Sequence, residues 1–423
     1  MRRGLPDYHR AVAAGESPWT IDELLRRVNP RPLFAQGTRF SYSNFGYLFV
    51  RQVIERAADA DVNDALRLLG VKHNFRIPIP SLQIHDRSGN AMDPHRHRAD
   101  KSMKALIRDR YGLPDVLDVR EVPQPIPGKD EVLVRVYAAS INDWDWGLLQ
   151  GPTLPFMRTP PKPILGSDIA GRVASLGSGV QRWRVGDEVY GDLSGWGPRG
   201  WGGFAEYVCA HERSLVPKPA RMTFEQAAAL PQAGQLAVQG LFAGGPLSPG
   251  QKILINGAGG GVGTIGVQLA KAHGAEVTGV DSAAKLEMMR AIGFDHVIDY
   301  RKEDFTRNGQ RYDLIVDTRT THGPFDYGRS LNHGGTYATV GGADMRQLLA
   351  IFAVGWAIRL ATGKTVRLVG LKANRDLPYL NERFEAGQLV PVIDGPYKLS
   401  EGREAFRHYG TANHTGKVVI TMD

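Results

Sequence analysis

Apolar and polar positions change rhythm twice along this chain. Up to about residue 70 the apolar positions fit helices. Thr20 can cap a helix reading IDELLRRV, with Glu23 completing a capping box, and a second helix is expected from Phe45 to Leu69, interrupted around Asp59 to Asp61. Between 73 and 102 the period is lost to Pro78, Pro80, Pro94, Gly89 and Asn90, the texture of a linker. At Met103 a new texture begins. MKALIRDRYG opens an apolar strand, and Glu131 to Ser140, EVLVRVYAAS, alternates as a half-buried strand does. Further short strands are expected at 168–176, 188–191 and 205–210, with frequent Pro and Gly between them, which predicts a compact, barrel-like β domain. From Gly250 the pattern turns into strand–helix repeats, with strands at 252–256, 276–280, 296–300, 312–317, 335–341 and 365–371. That order predicts an α/β doubly wound parallel sheet with its ligand at the strand C-termini.

Composition narrows the class without naming a reaction. A chain of 423 residues, 42% hydrophobic and 23% charged, has room for two or three domains with sizeable cores. The single cysteine, Cys209, excludes an internal disulfide framework and a cysteine-built zinc site, and fits a reducing, cytoplasmic setting. MRRGLPDYHR lacks the apolar core of a signal peptide. The most apolar run, Leu348 to Ile358, is too short to span a bilayer and reads as a buried helix or a pocket wall, so no stable membrane insertion is expected. Of the formal charge of +8, residues 1–102 carry 16 Lys or Arg against 11 Asp or Glu. A basic surface attracts nucleic acid or a phosphorylated cofactor, but no aromatic and basic stripe or nucleic-acid module is present, so nucleic acid is not expected. His95-Arg96-His97-Arg98 offers a His-x-His pair with no third ligand nearby and is read as solvated linker.

The candidate chemistry centres on Lys252 to His273, KILINGAGGGVGTIGVQLAKAH. An apolar strand stops in glycines and restarts as a helix, which points unpaired N–H groups and the positive helix end at one spot. A pyrophosphate fits there, and the spacing Ala258-x-Gly260-x-x-Gly263 is a dinucleotide fingerprint with alanine in its first place. The second strand ends in Asp281, about 20 residues on, as the ribose-binding acid of such folds does. An acid there accepts the ribose hydroxyls and favours NAD by repelling a 2′-phosphate.

Several segments resemble the medium-chain dehydrogenase/reductase superfamily in the right order: GSDIAGRVASLGSGVQRWRVGDEVYG (166–191), GGFAEYV (202–208), FEQAAALP (224–231), YDLIVD (312–317), GGTYATVGG (334–342), and the end from Leu389. The resemblance implies a GroES-like catalytic domain at 103–232, a Rossmann cofactor domain at 233–375 and a return to the catalytic domain at 376–423, with Met103 as the ancestral start. Where zinc-dependent members carry Gly-His-Glu, this chain has Gly166-Ser167-Asp168. Where they place the first cysteine ligand, it has Ile141-Asn142-Asp143. Neither offers thiolate or imidazole. The zinc-independent quinone oxidoreductase and enoyl-reductase-like branch is closer, its Asn-x-x-Asp…Gly pattern standing as Asn142, Asp145 and Gly151. The resemblance implies cofactor contacts at Ala258, Gly260, Gly261, Val262, Gly263, Asp281, Ser282, Lys285, Tyr300 and Gly341, with no metal. In relatives, residues near Ser282 and Lys285 can hold a 2′-phosphate, although a solvated loop is the other reading of Lys285, and Tyr300 is read either as a cofactor neighbour or as core.

The expected activity is hydride transfer from NAD(P)H, whether NADP or NAD, to a quinone or α,β-unsaturated carbonyl, in a chain that is a homodimer by family habit. Asn142 either donates to the acceptor oxygen or holds its loop, and Asp145 is read as orienting that loop rather than donating a proton. Trp144 and Trp146 wall an apolar pocket or pack in the core. Leu236 replaces a threonine common in relatives, and His322 adds a histidine near the expected nicotinamide face. Residues 1–72 resemble a fragment of the serine β-lactamase-like family around Tyr42-Ser43-Asn44, but no Ser-x-x-Lys precedes Tyr42, so a mostly helical, inactive extension is expected, left by gene fusion or a misplaced start codon. The alternative is a hydrolase fragment fused to a non-catalytic NADPH-binding protein.

Overall fold

The computed structural model describes residues 101–422, apart from 152–158, 196–199, 342–354 and 356–357. The expected helices and β-lactamase-like motif of residues 1–72, residues 73–100 of the expected 73–102 linker and nearly all of Leu348 to Ile358 lie outside the described residues.

The first strands are β1 (Ser102–Arg108), β2 (Leu117–Pro123) and β3 (Glu131–Ser140), followed by helix α1 (Asp143–Gln150). Then come β4 (Asp168–Leu176), β5 (Glu188–Asp192), β6 (Tyr207–His211) and the two-residue β7 (Val216–Pro217). β1 and β2 form an antiparallel pair, while β3 lies in a larger sheet with β4 on one side and β6 also pairing with it. The expected alternation along β3 is not seen. Val132, Leu133 and Val134 are buried in succession, because β3 is covered on both faces. Part of the cover is helix α2 (Phe224–Ala228), whose Phe224 ring stacks on Tyr137 at 4.5 Å.

Helix α3 (Pro231–Leu241) leads into a second sheet, and Pro at its first position suits a site whose missing N–H would be unpaired anyway. β8 (Lys252–Asn256), α4 (Gly261–Ala272), β9 (Glu276–Asp281), α5 (Leu286–Ala291), β10 (His296–Asp299), β11 (Tyr312–Asp317), α6 (Pro324–Arg329), β12 (Leu331–Thr339) and β13 (Thr365–Leu368) follow in order. The sheet is parallel throughout, ordered β10-β9-β8-β11-β12-β13. Its inner strands read as unbroken apolar runs since helices cover both faces, Ile253, Leu254 and Ile255 each being almost wholly buried. The order reverses between β8 and β11, which opens the crevice in which such sheets bind ligands.

Helix α7 (Leu377–Glu385) packs Leu380 beside Gly234 of α3. The chain then adds β14 (Ile393–Lys398), α8 (Gly402–Gly410) and β15 (Lys417–Thr421) to the first large sheet, ordered β14-β15-β3-β4-β5-β7. β15 pairs with the end of β3, Val419 opposite Ser140. This return brings the C-terminal segment against the cofactor sheet: Gly416 N–H donates to Gly259 O at 2.8 Å.

Candidate active site

The glycine turn follows β8 at the crevice. Gly257 takes a φ of +79°, and a Cβ there would meet Thr318 Oγ1 at 2.0 Å. A Cβ on Gly263 would lie 2.3 to 2.6 Å from the backbone of Ala258, so α4 could not approach the turn with any larger residue. At Gly260 a Cβ would meet, among the described residues, only Gly257 O at 3.5 Å. Gly261, Val262 and Gly263 form the first turn of α4, whose amides have no partner within the helix. The alanine of the fingerprint, Ala258, is fully buried.

Asp281 closes the turn. Its Oδ2 accepts from Gly259 N–H and its Oδ1 from Ser282 N–H, both at 2.8 Å, and Lys285 Nζ lies 3.7 Å from Oδ1. Lys285 is 5% exposed, which overturns its reading as a solvated loop residue: its stem rests on Gly259 and its ammonium on Asp281. Burial pushes the Lys285 amine below its usual range, with Asp281 pulling the other way. Tyr300 is 55% exposed, so the core reading fails there too, since it lies past the end of β10 with the Arg301 guanidinium over its ring at 5.6 Å.

These groups border a cleft of about 610 Å³ that also takes in Gly260, Gly261, Val262 and Gly341. Its other wall comes from the loop before α1 and the start of α3. Asn142 caps α1, and its backbone N–H donates to Asp145 Oδ2 at 2.9 Å. Asp145 Oδ1 accepts from Gly166 N–H at 2.8 Å. The fully buried Asp145 is therefore the loop's tie, as expected, and burial lifts its carboxyl to about 7 against the lowering effect of those two amides. The Asn142 amide is held between two charges. Its Oδ1 accepts from Lys417 Nζ, and its Nδ2 lies beside Asp168 without completing a hydrogen bond.

Asp168 Oδ2 accepts from Gln232 N–H at 3.1 Å, at the positive end of α3, and lies 3.7 Å from Lys417 Nζ. Gln232 and Leu236 stand four residues apart on the cleft face of α3. The buried Gln232 Nε2 has no partner among the described residues, so the polar group that Leu236 lacks is present one turn earlier. Sequence reasoning passed over Gln232 because a polar residue in the first turn of a helix is ordinary.

The aromatic alternatives divide. Trp144 lines the cleft and stacks on Trp201 at 6.3 Å, whereas Trp146 packs on Tyr409 at 6.2 Å. His322 also lines the cleft, its Nε2 3.4 Å from Asp304 Oδ1 and its Nδ1 3.0 Å from Thr321 Oγ1. Sequence reasoning missed a whole stretch of wall: Tyr409, Thr411, Ala412, Asn413, His414, Gly416 and Lys417. Tyr409 Oη donates to Asp143 Oδ1 at 2.6 Å, and its ring stacks on His414 at 4.6 Å. Burial pushes His414 down to about 4, so it stands neutral at neutral pH. Cys209 is half-buried on β6, and burial lifts its thiol to about 12, which makes it an inert packing residue.

Zinc does not fit the locus where relatives place it. An amide and a carboxylate, Asn142 and Asp168, are bridged by the Lys417 ammonium, which would repel a metal cation, and neither offers the nitrogen or sulfur that zinc prefers. A nicotinamide dinucleotide does fit, with the glycine cradle and unpaired helix amides at one end and buried amide groups at the other.

The alcohol dehydrogenase GroES-like domain matches residues 128–220, and the zinc-binding dehydrogenase family matches residues 292–420. Neither match reaches residues 1–72. A 2-methylene-furan-3-one reductase of Solanum lycopersicum is 34% identical over 332 residues, 75% of this chain and 79% of that protein. A chloroplastic NADPH-dependent alkenal/one oxidoreductase of Arabidopsis thaliana is 35% identical over 76% of this chain and 80% of its own length. Among solved structures, the quinone oxidoreductase from Coxiella burnetii superposes with a TM-score of 0.65 at 28% identity, covering 76% of this chain and all of that one.

Proposed function

The chain belongs to the medium-chain dehydrogenase/reductase superfamily, in its quinone oxidoreductase and enoyl reductase branch, and from that membership we propose how its cleft works. It is an NAD(P)-dependent oxidoreductase that reduces a quinone or an α,β-unsaturated carbonyl. The observation that carries this reading is the cleft itself, which joins the glycine turn to a wall holding two buried amide donors, Asn142 Nδ2 and Gln232 Nε2, that have no hydrogen-bond partner among the described residues. When bound, the cofactor supplies the hydride, and the protein's part is binding, orientation and exclusion of water.

The first-turn amides of α4 would hold the pyrophosphate. Our finer proposal is a preference for NADPH. Lys285, Arg301, Ser282 and Tyr300 line the cleft beyond β9, and the Asp281 carboxylate is already engaged by two amides and faced by Lys285. At the other end Leu236, Val340 and the Trp144 ring line the cleft with apolar surface, so electrostatic contacts gain strength there. A buried donor without a partner costs about 1–3 kcal/mol. An acceptor oxygen that takes the Asn142 or Gln232 amide recovers that cost, and gains most as negative charge builds on it during hydride arrival. The locus that suits zinc elsewhere works here without a metal.

Lys285→Met is expected to raise the KM for NADPH about tenfold, the loss of roughly one charged contact, with little change for NADH. Equal loss with both cofactors would contradict the NADPH reading.

A further inference from the structure

Lys417 opens β15, and its side chain runs inward. Its stem passes so close to the first turn of α4 that a Cβ on Gly261 would meet Lys417 Cδ at 2.6 Å. The ammonium then crosses to the opposite wall, donating to Ile141 O at 2.8 Å and to Asn142 Oδ1. One residue earlier, Gly416 N–H donates to Gly259 O in the glycine turn. Two consecutive residues thus grip both walls of the cleft.

Burying an ammonium is costly, and burial draws the Lys417 amine below its usual range while Asp168 and the other nearby carboxylates pull it back up. An apolar residue would continue the buried run Val418, Val419 and Ile420 at less cost. The lysine therefore needs a reason beyond packing. The Asn142 amide supplies one. With Oδ1 held by Lys417, only Nδ2 is left to offer a ligand, whereas a freed amide can turn over and present its carbonyl to an acceptor oxygen, which repels it.

We propose that Lys417 is a positioning residue for hydride transfer: it rests on Gly261 while pinning Ile141 O and Asn142 Oδ1, and so fixes the acceptor-binding amide relative to the cofactor turn. This rests on the hydride-transfer reading above. Because the stem rather than the ammonium touches the glycine turn, and methionine keeps such a stem, Lys417 acts on turnover more than on cofactor affinity.

The test uses the full chain with NADPH and an acceptor that the parent protein reduces. Lys417→Met alone leaves Asp168 without its cation, so it is compared with the charge-neutral pair Asp168→Asn/Lys417→Met. That pair is expected to bind NADPH within about threefold of the parent, while kcat falls about 100-fold, the size associated with a misplacement near 1 Å. A kcat within about twofold of the parent, or a loss confined to cofactor binding, overturns the proposal. If the neutral pair does not fold, a double-mutant cycle decides. In an Asn142→Ala background, Lys417→Arg is expected to lower kcat no further, and additive losses overturn the proposal. A parent that binds NADPH yet reduces no acceptor would instead overturn the hydride-transfer reading itself.

Discussion

Beside the Asn142 loop, three carboxyl groups that act on one another are shielded from solvent. Asp145, Asp168 and Asp192 are fully buried, and burial raises each carboxyl above its usual range. For Asp145, lifted to about 7, the sign is direct. Between its unfolded value, roughly 4, and about 7, the folded state holds a proton that the unfolded state has released, so its contribution is complete at low pH and is lost as pH rises through 7. This group therefore makes the thermal midpoint fall between about pH 4 and 7, against an opposite slope from His414, which is held down at about 4. Asp145→Asn, which cannot ionise, should flatten that slope even though it lowers stability by losing an acceptor for Asn142 or Gly166. An unchanged slope in thermal melts across that range would contradict the assignment.

Among the elements, the turn from β8 into α4 separates two reasons for glycine. Gly263 serves the fold, because its missing Cβ lets α4 pack on Ala258. Gly263→Val is expected to cost about 1–3 kcal/mol as an overpacking change, read as a drop in Tm with or without cofactor. Gly260 is expected to serve the ligand, since among the described residues a Cβ there meets only Gly257 O, at 3.5 Å. Gly260→Ala should leave Tm of the cofactor-free protein nearly unchanged while weakening NADPH about tenfold by crowding the pyrophosphate. A large Tm loss in Gly260→Ala with unaltered binding would reverse this division. Both glycines were legible in the sequence because fingerprint, strand and helix are contiguous there. The two reasons were not, because only the packing around each missing Cβ tells them apart.

Across the whole molecule, what could be read in advance was local. The parallel strands stood out as unbroken apolar runs, and the glycine turn, Asp281 and the loop at Asn142 followed from short spacings. The alternation along β3 misled, since EVLVRVYAAS looks half-buried until α2 is known to cover its other face. Lys285 stood open between two readings: a lysine after a strand is usually solvated, and here it is buried against the glycine turn. The C-terminal wall was illegible for a topological reason. Lys417 meets Asn142 across 275 residues, and only the return of β15 to the end of β3 brings them together. The one available signal was a lysine heading the apolar run VVI, where a buried strand was already expected. The same topology places the glycine turn at the end of one sheet and the Asn142 loop at the end of the other. The most direct measurement is NADPH consumption by the purified full chain with a panel of small quinones and enones in excess chelator. Turnover that chelation leaves intact is the predicted result. No turnover across the panel, or turnover lost on chelation and restored by zinc, would contradict the account.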